Sequence, residues 1–301
     1  MYLVIAEKPS VSRSIAHVIG AEKNQEGYLE GKDCIVSWCL GHLAEYIPPD
    51  AYDEKFRRWN YDDLPIIPKE WKLEVPGEKK EQFYVLKRLL NRPDIRYVVN
   101  ACDAGREGEL IFRRVYELSG SSKPVKRLWI SSMEDSAIRE GMEHLREGAD
   151  YNNLAKAAVC RAQADWLVGM NATRAFTTIY YKKLTVGRVQ TPTLAMLVDR
   201  MDQISGFKKQ KYFNVELECD GMKAEKHKIF DAGEADRLLK NCDGSNAVVL
   251  SVETEEKTVK PPRLYDLTTL QREANRIYGM TAQQTLNAAQ SLYESKLITY
   301  P

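Results

Sequence analysis

Apolar residues open the chain in a short unbroken run, Tyr2 to Ala6, which Glu7-Lys8-Pro9-Ser10 ends. Val11, Ile15, Val18 and Ile19 then recur at helical spacing until Gly20, so the pattern predicts a strand, a tight loop and a helix. The same order returns at Tyr97 to Ala101, which leads into a polar loop and a helix lined by Leu110, Ile111, Val115 and Leu118, with Gly120 beyond. A third unit reads Leu128 to Ile130 as strand, Ser132 with Asp135 as a capping pair, and a helix carrying Ala137, Ile138, Met142 and Leu145. Repeated strand–helix units predict an α/β domain with a largely parallel sheet over residues 1–150. The proline-bearing stretch from Tyr46 to Pro76 interrupts the series as a long excursion, of the kind that packs against another part of a protein.

From Asn153 to Arg174 the pattern turns long and helical, with Leu154, Ala158, Leu167 and Val168 on its apolar side. Arg161 and Asp165 stand four apart and suit an ion pair on one face. Helical spacing resumes at Thr191 to Ile204 and closes a second division at residues 151–210. Alternation in Tyr212 to Cys219 and in Val248 to Thr254 predicts exposed antiparallel strands within residues 211–262. Pro261-Pro262 marks a boundary before two helices in residues 263–301, about Thr268 to Tyr278 and Thr281 to Ser295, with Thr281 and Gln284 as a capping box. The expected fold class is therefore multidomain α/β.

Composition adds limits. The 301 residues carry a formal charge of only +1, so nucleic-acid binding requires a local groove, not a global basic field. Six cysteines show no CxxC pair or Cys/His array, which argues against structural zinc and for a reducing, cytoplasmic setting. No basic start with an apolar run and no apolar stretch of membrane length appears, so a protein outside the membrane is expected.

The candidate chemistry lies where predicted strands end. In open α/β sheets, ligands collect at loops leaving the carboxyl ends of strands. Glu7 and Lys8 follow one strand, and Asp103, Arg106 and Glu107 follow another. If those strands are neighbours, Glu7, Asp103 and Glu107 crowd together and need a cation, for which Mg²⁺ is the oxygen-preferring choice. Lys8 and Arg106 suit a phosphate beside it. Each acid alone fits ordinary helix-start capping equally well, Glu109 above all. No GxxxxGK loop is present, so no ATP is expected. Tyr300 stands next to the last residue, and a tyrosine with cations nearby can attack phosphorus. Helices without an obvious covering element just before it suggest part of a longer protein.

The segments MYLVIAEKPSVSRSIA, ACDAGREGELIFR, VGRVQTPTL, PPRLYDLTTLQREA and LITYP, in that order, together resemble the type IA DNA topoisomerases, in their bacterial topoisomerase III branch. The resemblance implies an N-terminal Toprim (Rossmann-like) domain at 1–150, part of a helical single-strand-groove domain at 151–210, part of a β-rich arch at 211–262 and the start of a helical nucleophile-bearing domain at 263–301. It implies single-strand cleavage by Tyr300 to a 5′-phosphotyrosine, strand passage and religation, without ATP. Glu7 and Lys8 would assist the chemistry, and Glu7, Asp103 and Glu107 would hold Mg²⁺. Gly105 replaces the middle acid of the family's D-x-D-x-E motif, which points to one tightly held ion. DNA contacts are implied for Arg106, Arg161, Lys183, Arg188, Gln190 and Gln271, with Arg161, Arg188 and Gln190 in helical segments. Arg174 and Gln271 are weaker candidates, and Trp166 and Phe176 suit either base stacking or a core. The partner implied is single-stranded or underwound DNA, with a monomer acting in the bacterial cytoplasm at the nucleoid. The family's arginine and histidine beyond the tyrosine have no counterpart here, so weak or absent turnover is expected of this polypeptide alone. The alternatives are a non-catalytic single-strand-binding fragment or another Toprim enzyme, a primase or nuclease.

Overall fold

A computed structural model describes residues 1–300. Its centre is a seven-stranded sheet in the order β2-β3-β4-β1-β7-β8-β9. The strands are β1 (Tyr2–Ala6), β2 (Lys23–Gln25), β3 (Tyr28–Glu30), β4 (Cys34–Trp38), β7 (Tyr97–Ala101), β8 (Val125–Arg127) and β9 (Arg146–Glu147). A separate pair, β5 (Glu45–Tyr46) and β6 (Leu73–Glu74), lies in the excursion between β4 and β7. Neighbours β4, β1, β7 and β8 run parallel, and both edges are antiparallel. The parallel core is the one that the strand–helix repetition predicts.

Helices cover both faces, which is why β1 and β7 read as continuous apolar runs. Leu3, Ile5 and Val98 face Leu86, Leu89 and Phe112, while Val4, Ala6 and Val99 face Ile15, Leu128 and Ile138. The helices concerned are α1 (Pro9–Ile19), α3 (Lys80–Leu90), α4 (Arg106–Ser119) and α5 (Asp135–Glu143); the short α2 spans Pro49–Tyr52. Helix α1 begins with Pro9 in its first turn and ends on Gly20 at φ 74°, a left-handed closure.

Two local expectations need correction. The third strand is Val125–Arg127, not Leu128 to Ile130; only the Leu128 N–H still reaches Asn100, at 3.0 Å. Lys126-Arg127 hid it, because Arg127 is a buried charge that reads as surface. Helix α5 has no Ser132 side-chain cap: the N-cap position is Glu134, and Ser132, two residues earlier, accepts through Oγ from the Glu134 N–H at 3.2 Å.

The excursion packs on helix α6 (Asn152–Tyr180). Ile66 and Asn171 exchange hydrogen bonds of 2.6 and 3.0 Å, Arg174 donates to the Phe56 carbonyl at 2.7 Å, and the Trp71 and Trp166 rings meet edge to face at 5.4 Å. Arg174 and Trp166 thus make contacts that hold the excursion, and Trp166 also lines a cavity, whereas Phe176 is exposed and stacked on Tyr180.

The chain divides into two compact units, Met1–Thr191 with the residues from Leu264 on, and Pro192–Arg263. Helices α9 (Leu267–Tyr278) and α10 (Ala282–Glu294) belong to the first, and the Thr281–Gln284 capping box forms as expected. Helix α7 (Gln190–Ser205) carries the chain into the second, which holds β10 (Phe213–Cys219), β11 (Met222–Ile229) and helix α8 (Ala232–Cys242). The expected Val248–Thr254 strand is absent: residues 246–266 form no regular element. Strand β10 pairs with β11 through Asp220-Gly221, both at positive φ (46° and 79°). A two-residue turn of that kind favours Asp-Gly.

Candidate active site

Parallel pairing decides which loops meet. β1 and β7 are neighbours in register, with Ala6 opposite Ala101, so Glu7 and the Cys102-Asp103 loop leave the sheet side by side. On the other flank β4 ends opposite Ala6 at Trp38, and the Cys39 N–H donates to the Ala6 carbonyl at 2.8 Å, which delivers His42 to the same edge. The loop after β7 lies tightly on the first turn of α4. A Cβ on Gly108 would stand 2.2 Å from the Asp103 carbonyl oxygen, so only glycine fits there.

Beneath this loop is a buried cationic support. The Arg127 guanidinium donates to the carbonyls of Asn100 (3.0 Å), Cys102 (2.6 Å), Leu128 (2.8 Å) and Asp103 (2.7 Å). Its Nε lies 3.3 Å from Glu109 Oε2, which also accepts from Asn100 at 2.9 Å, while Glu109 Oε1 accepts from Arg113 at 2.8 Å. Glu109 is thus a buried buttress and not a ligand or a helix-start cap.

Glu7 and Asp103 form the acidic centre. Burial, and then the charge of Asp103, push the Glu7 carboxyl up to about 7, against a smaller opposing pull from Lys8. Asp103 Oδ2 is buried and, among the described residues, has no hydrogen-bond partner. A Glu7 carboxyl whose ionisation is opposed, beside an Asp103 with an orphaned buried oxygen, fits a divalent cation of the kind the resemblance implies. Among the described residues, no group of three or more His, Cys, Asp or Glu side chains stands ready to hold one.

Tyr300 stands at this centre. Its backbone N–H donates to the Ser131 carbonyl at 2.9 Å, and its ring meets Tyr293 edge to face at 5.3 Å. Tyr293 is buried in the sheet's own core with Val11, Leu128 and Met133, and Lys296 Nζ pairs with Asp135 Oδ1 at the start of α5. The Tyr300 phenol is held well above its ordinary pKa, first by burial and then by the negative charges of Asp103 and Glu7. The crevice between Tyr300 and Asp103 holds about 10 Å³, room for roughly one water.

Glu107 points elsewhere. Its Oε1 lies 2.5 Å from Arg161 Nη1 and its Oε2 lies 3.4 Å from His42 Nε2. Arg161 Nε reaches Asp165 only at 3.8 Å, because Asp165 is held by Arg188 through contacts of 2.5 and 3.2 Å. His42, Glu107, Arg161, Asp165 and Arg188 thus form one chain of contacts. It borders two cavities of about 410 and 360 Å³ that share Arg161 and Asp165. Arg188 sits in the turn before α7 and not in a helix. Gln190 opens α7 and lines the second cavity; Arg106 and Lys183 are exposed. Gln271 is taken up by the Ala282 carbonyl at 3.1 Å.

Sequence reasoning passed over His42, Arg127, Tyr293, Lys296 and Asp135 as site residues. A signal existed for His42: Cys34 to Trp38 is another apolar run ending in a loop with Gly41. Arg127 and Tyr293 gave none, since each acts through burial that only tertiary packing creates.

A family model described as Toprim domain matches residues 2–133, and one described as DNA topoisomerase matches residues 149–301. The chain is 47% identical to DNA topoisomerase 3 of Bacillus subtilis (strain 168), over 99% of this chain and 42% of that protein. It is 46% identical to DNA topoisomerase 3 of Shouchella clausii (strain KSM-K16), with the same coverage of 99% and 42%. The chain therefore spans about two fifths of the length of these curated relatives. Among solved structures, full-length topoisomerase I from Thermotoga maritima matches with a TM-score of 0.67 and 25% identity, over 99% of this chain and 48% of that one.

Proposed function

The chain belongs to the DNA topoisomerase family, and from that premise we propose that it carries the strand-cleaving site of a type IA enzyme. The observation behind this reading is the position of Tyr300 beside Asp103 and Glu7. Tyr300 Oη attacks a backbone phosphorus of single-stranded or underwound DNA; a phosphorus–tyrosine bond forms and the bond to the 3′ oxygen breaks. The phenol proton passes to solvent water through the water-sized crevice. Glu7, whose raised pKa of about 7 keeps a substantial protonated fraction near neutral pH, supplies a proton to the departing 3′ oxygen. The products are a 5′-phosphotyrosine and a free 3′-hydroxyl, and the reverse attack reseals the strand without ATP.

Lys8 lies at the start of α1 and steadies charge on the non-bridging oxygens. Asp103 and Glu107, with Glu7 at the edge, would hold one Mg²⁺. When bound, that ion offsets the negative field that now opposes ionisation of Tyr300. The two cavities flanking Arg161 give a single strand its path, with Arg188 and Lys183 meeting phosphates and Gln190 a base or sugar.

In this reading residues 1–150 are the metal-bearing domain, 151–210 part of the groove, 211–262 part of an arch and 263–301 the start of the nucleophile-bearing domain. The setting is the bacterial cytoplasm, and the protein acts as a monomer. The test is product chemistry on a single-stranded oligonucleotide. A topoisomerase leaves an upstream fragment that a polymerase extends and a downstream fragment bound to protein; a nuclease leaves both fragments free, and a primase incorporates nucleotides.

A further inference from the structure

Glu107 stands on the first turn of α4, four positions after Asp103, yet its carboxylate is held away from Asp103 and Glu7 by Arg161 and His42. The Arg161 end of that contact faces the groove, and Asp165, the other acid within its reach, is already held by Arg188. Arginine binds phosphate and carboxylate through the same planar fork, so a DNA phosphate in the groove competes directly with Glu107 for Arg161.

We propose that Arg161 is a latch on Glu107, released when DNA phosphate takes the guanidinium, so that DNA binding completes the cation site. The inference rests on the proposed function and deepens it, giving Arg161 a positioning role in addition to a DNA contact. Magnitude supports a switch. The side chains of Arg161 and Glu107 are 38% and 48% exposed, and exposed pairs of this kind are weak enough for an incoming phosphate or cation to displace. A fully buried pair, such as Arg127 with Glu109, would stay closed.

Coupling of this kind is reciprocal: DNA tightens cation binding by the factor by which the cation tightens DNA binding. The test titrates the 301-residue chain with Mn²⁺ at constant ionic strength, by electron paramagnetic resonance, with and without a short oligothymidylate and with an oligonucleotide-only control. Mn²⁺ should bind about fivefold tighter with DNA present. Fluorescence anisotropy should show the oligonucleotide binding tighter by the same factor with Mn²⁺, which requires no variant. Arg161→Gln should raise the DNA-free Mn²⁺ affinity by a similar factor and abolish the coupling. Mn²⁺ affinity indifferent to DNA, or unchanged or weakened by Arg161→Gln in a variant with an unaltered circular-dichroism spectrum, overturns the latch. Tyr300→Phe should retain the coupling. Absence of covalent adduct with coupling intact therefore counts against the cleavage reading alone, and adduct without coupling counts against the latch alone.

Discussion

The Tyr300 N–H donates to the Ser131 carbonyl across 2.9 Å, tying the tyrosine to the loop that follows β8. Tyr293, one helical turn and a short loop earlier, is only 3% exposed and is packed among the sheet's own core residues. The tyrosine's position is thus fixed by packing as well as by one hydrogen bond. Tyr293→Ala should cost about 3 kcal/mol of stability, by analogy with other large aromatic deletions. Tyr293→Phe, which keeps the ring, should cost far less. Urea midpoints of the two variants check this.

Glu7 gives a pH signature. Its folded pKa, about 7, is above the ordinary carboxyl value, so between that value and 7 the folded protein holds a proton that the unfolded chain has released. Stability from this group is complete at low pH and is lost as pH rises toward and past 7. Glu7→Gln should therefore gain stability over the unaltered chain at pH 8, on the order of 1–2 kcal/mol after discounting for solvent screening, and little at pH 4. Thermal melts at both pH values, in chelator, read the difference.

Two glycines in one loop should respond oppositely. Gly108 has no space for a Cβ beside the Asp103 backbone, so Gly108→Ala should cost about 1–3 kcal/mol and weaken Mn²⁺ binding. Gly105 is extended, at φ −172°, with open space around it, so Gly105→Asp should fold normally. The added carboxylate should tighten Mn²⁺ about tenfold, since affinity follows the charge of the ligand set. Calorimetric titration of both variants decides it.

Arg127 tests the support beneath the loop. Removing one partner from a buried charge network leaves the other stranded, so Arg127→Met should destabilise the protein by about 3–5 kcal/mol. Denaturant unfolding measures the loss.

The sheet and the acidic loops were legible because apolar runs that end in polar loops follow from burial on both faces of parallel strands. Glu7 and Asp103 meet for that reason. Arg127 was illegible because a buried arginine looks like a surface one until its carbonyl acceptors are known. Glu107 carried the right chemistry, but its neighbours Arg161 and His42 come from other elements, and sequence order does not show which acid an arginine selects. The second strand of the β10–β11 hairpin, Met222–Ile229, was missed for its polarity, although Asp220-Gly221 announced the turn.

The central claim is that Tyr300 is the nucleophile at the Glu7–Asp103 centre. The most direct measurement incubates the chain with excess 3′-labelled single-stranded oligonucleotide and Mg²⁺, denatures it, and maps any labelled peptide. The account predicts a small, cation-dependent yield of label attached at Tyr300, absent in Tyr300→Phe and sharply reduced in Glu7→Ala. No label on the protein at all, label on another residue, or an adduct that survives Tyr300→Phe would contradict it.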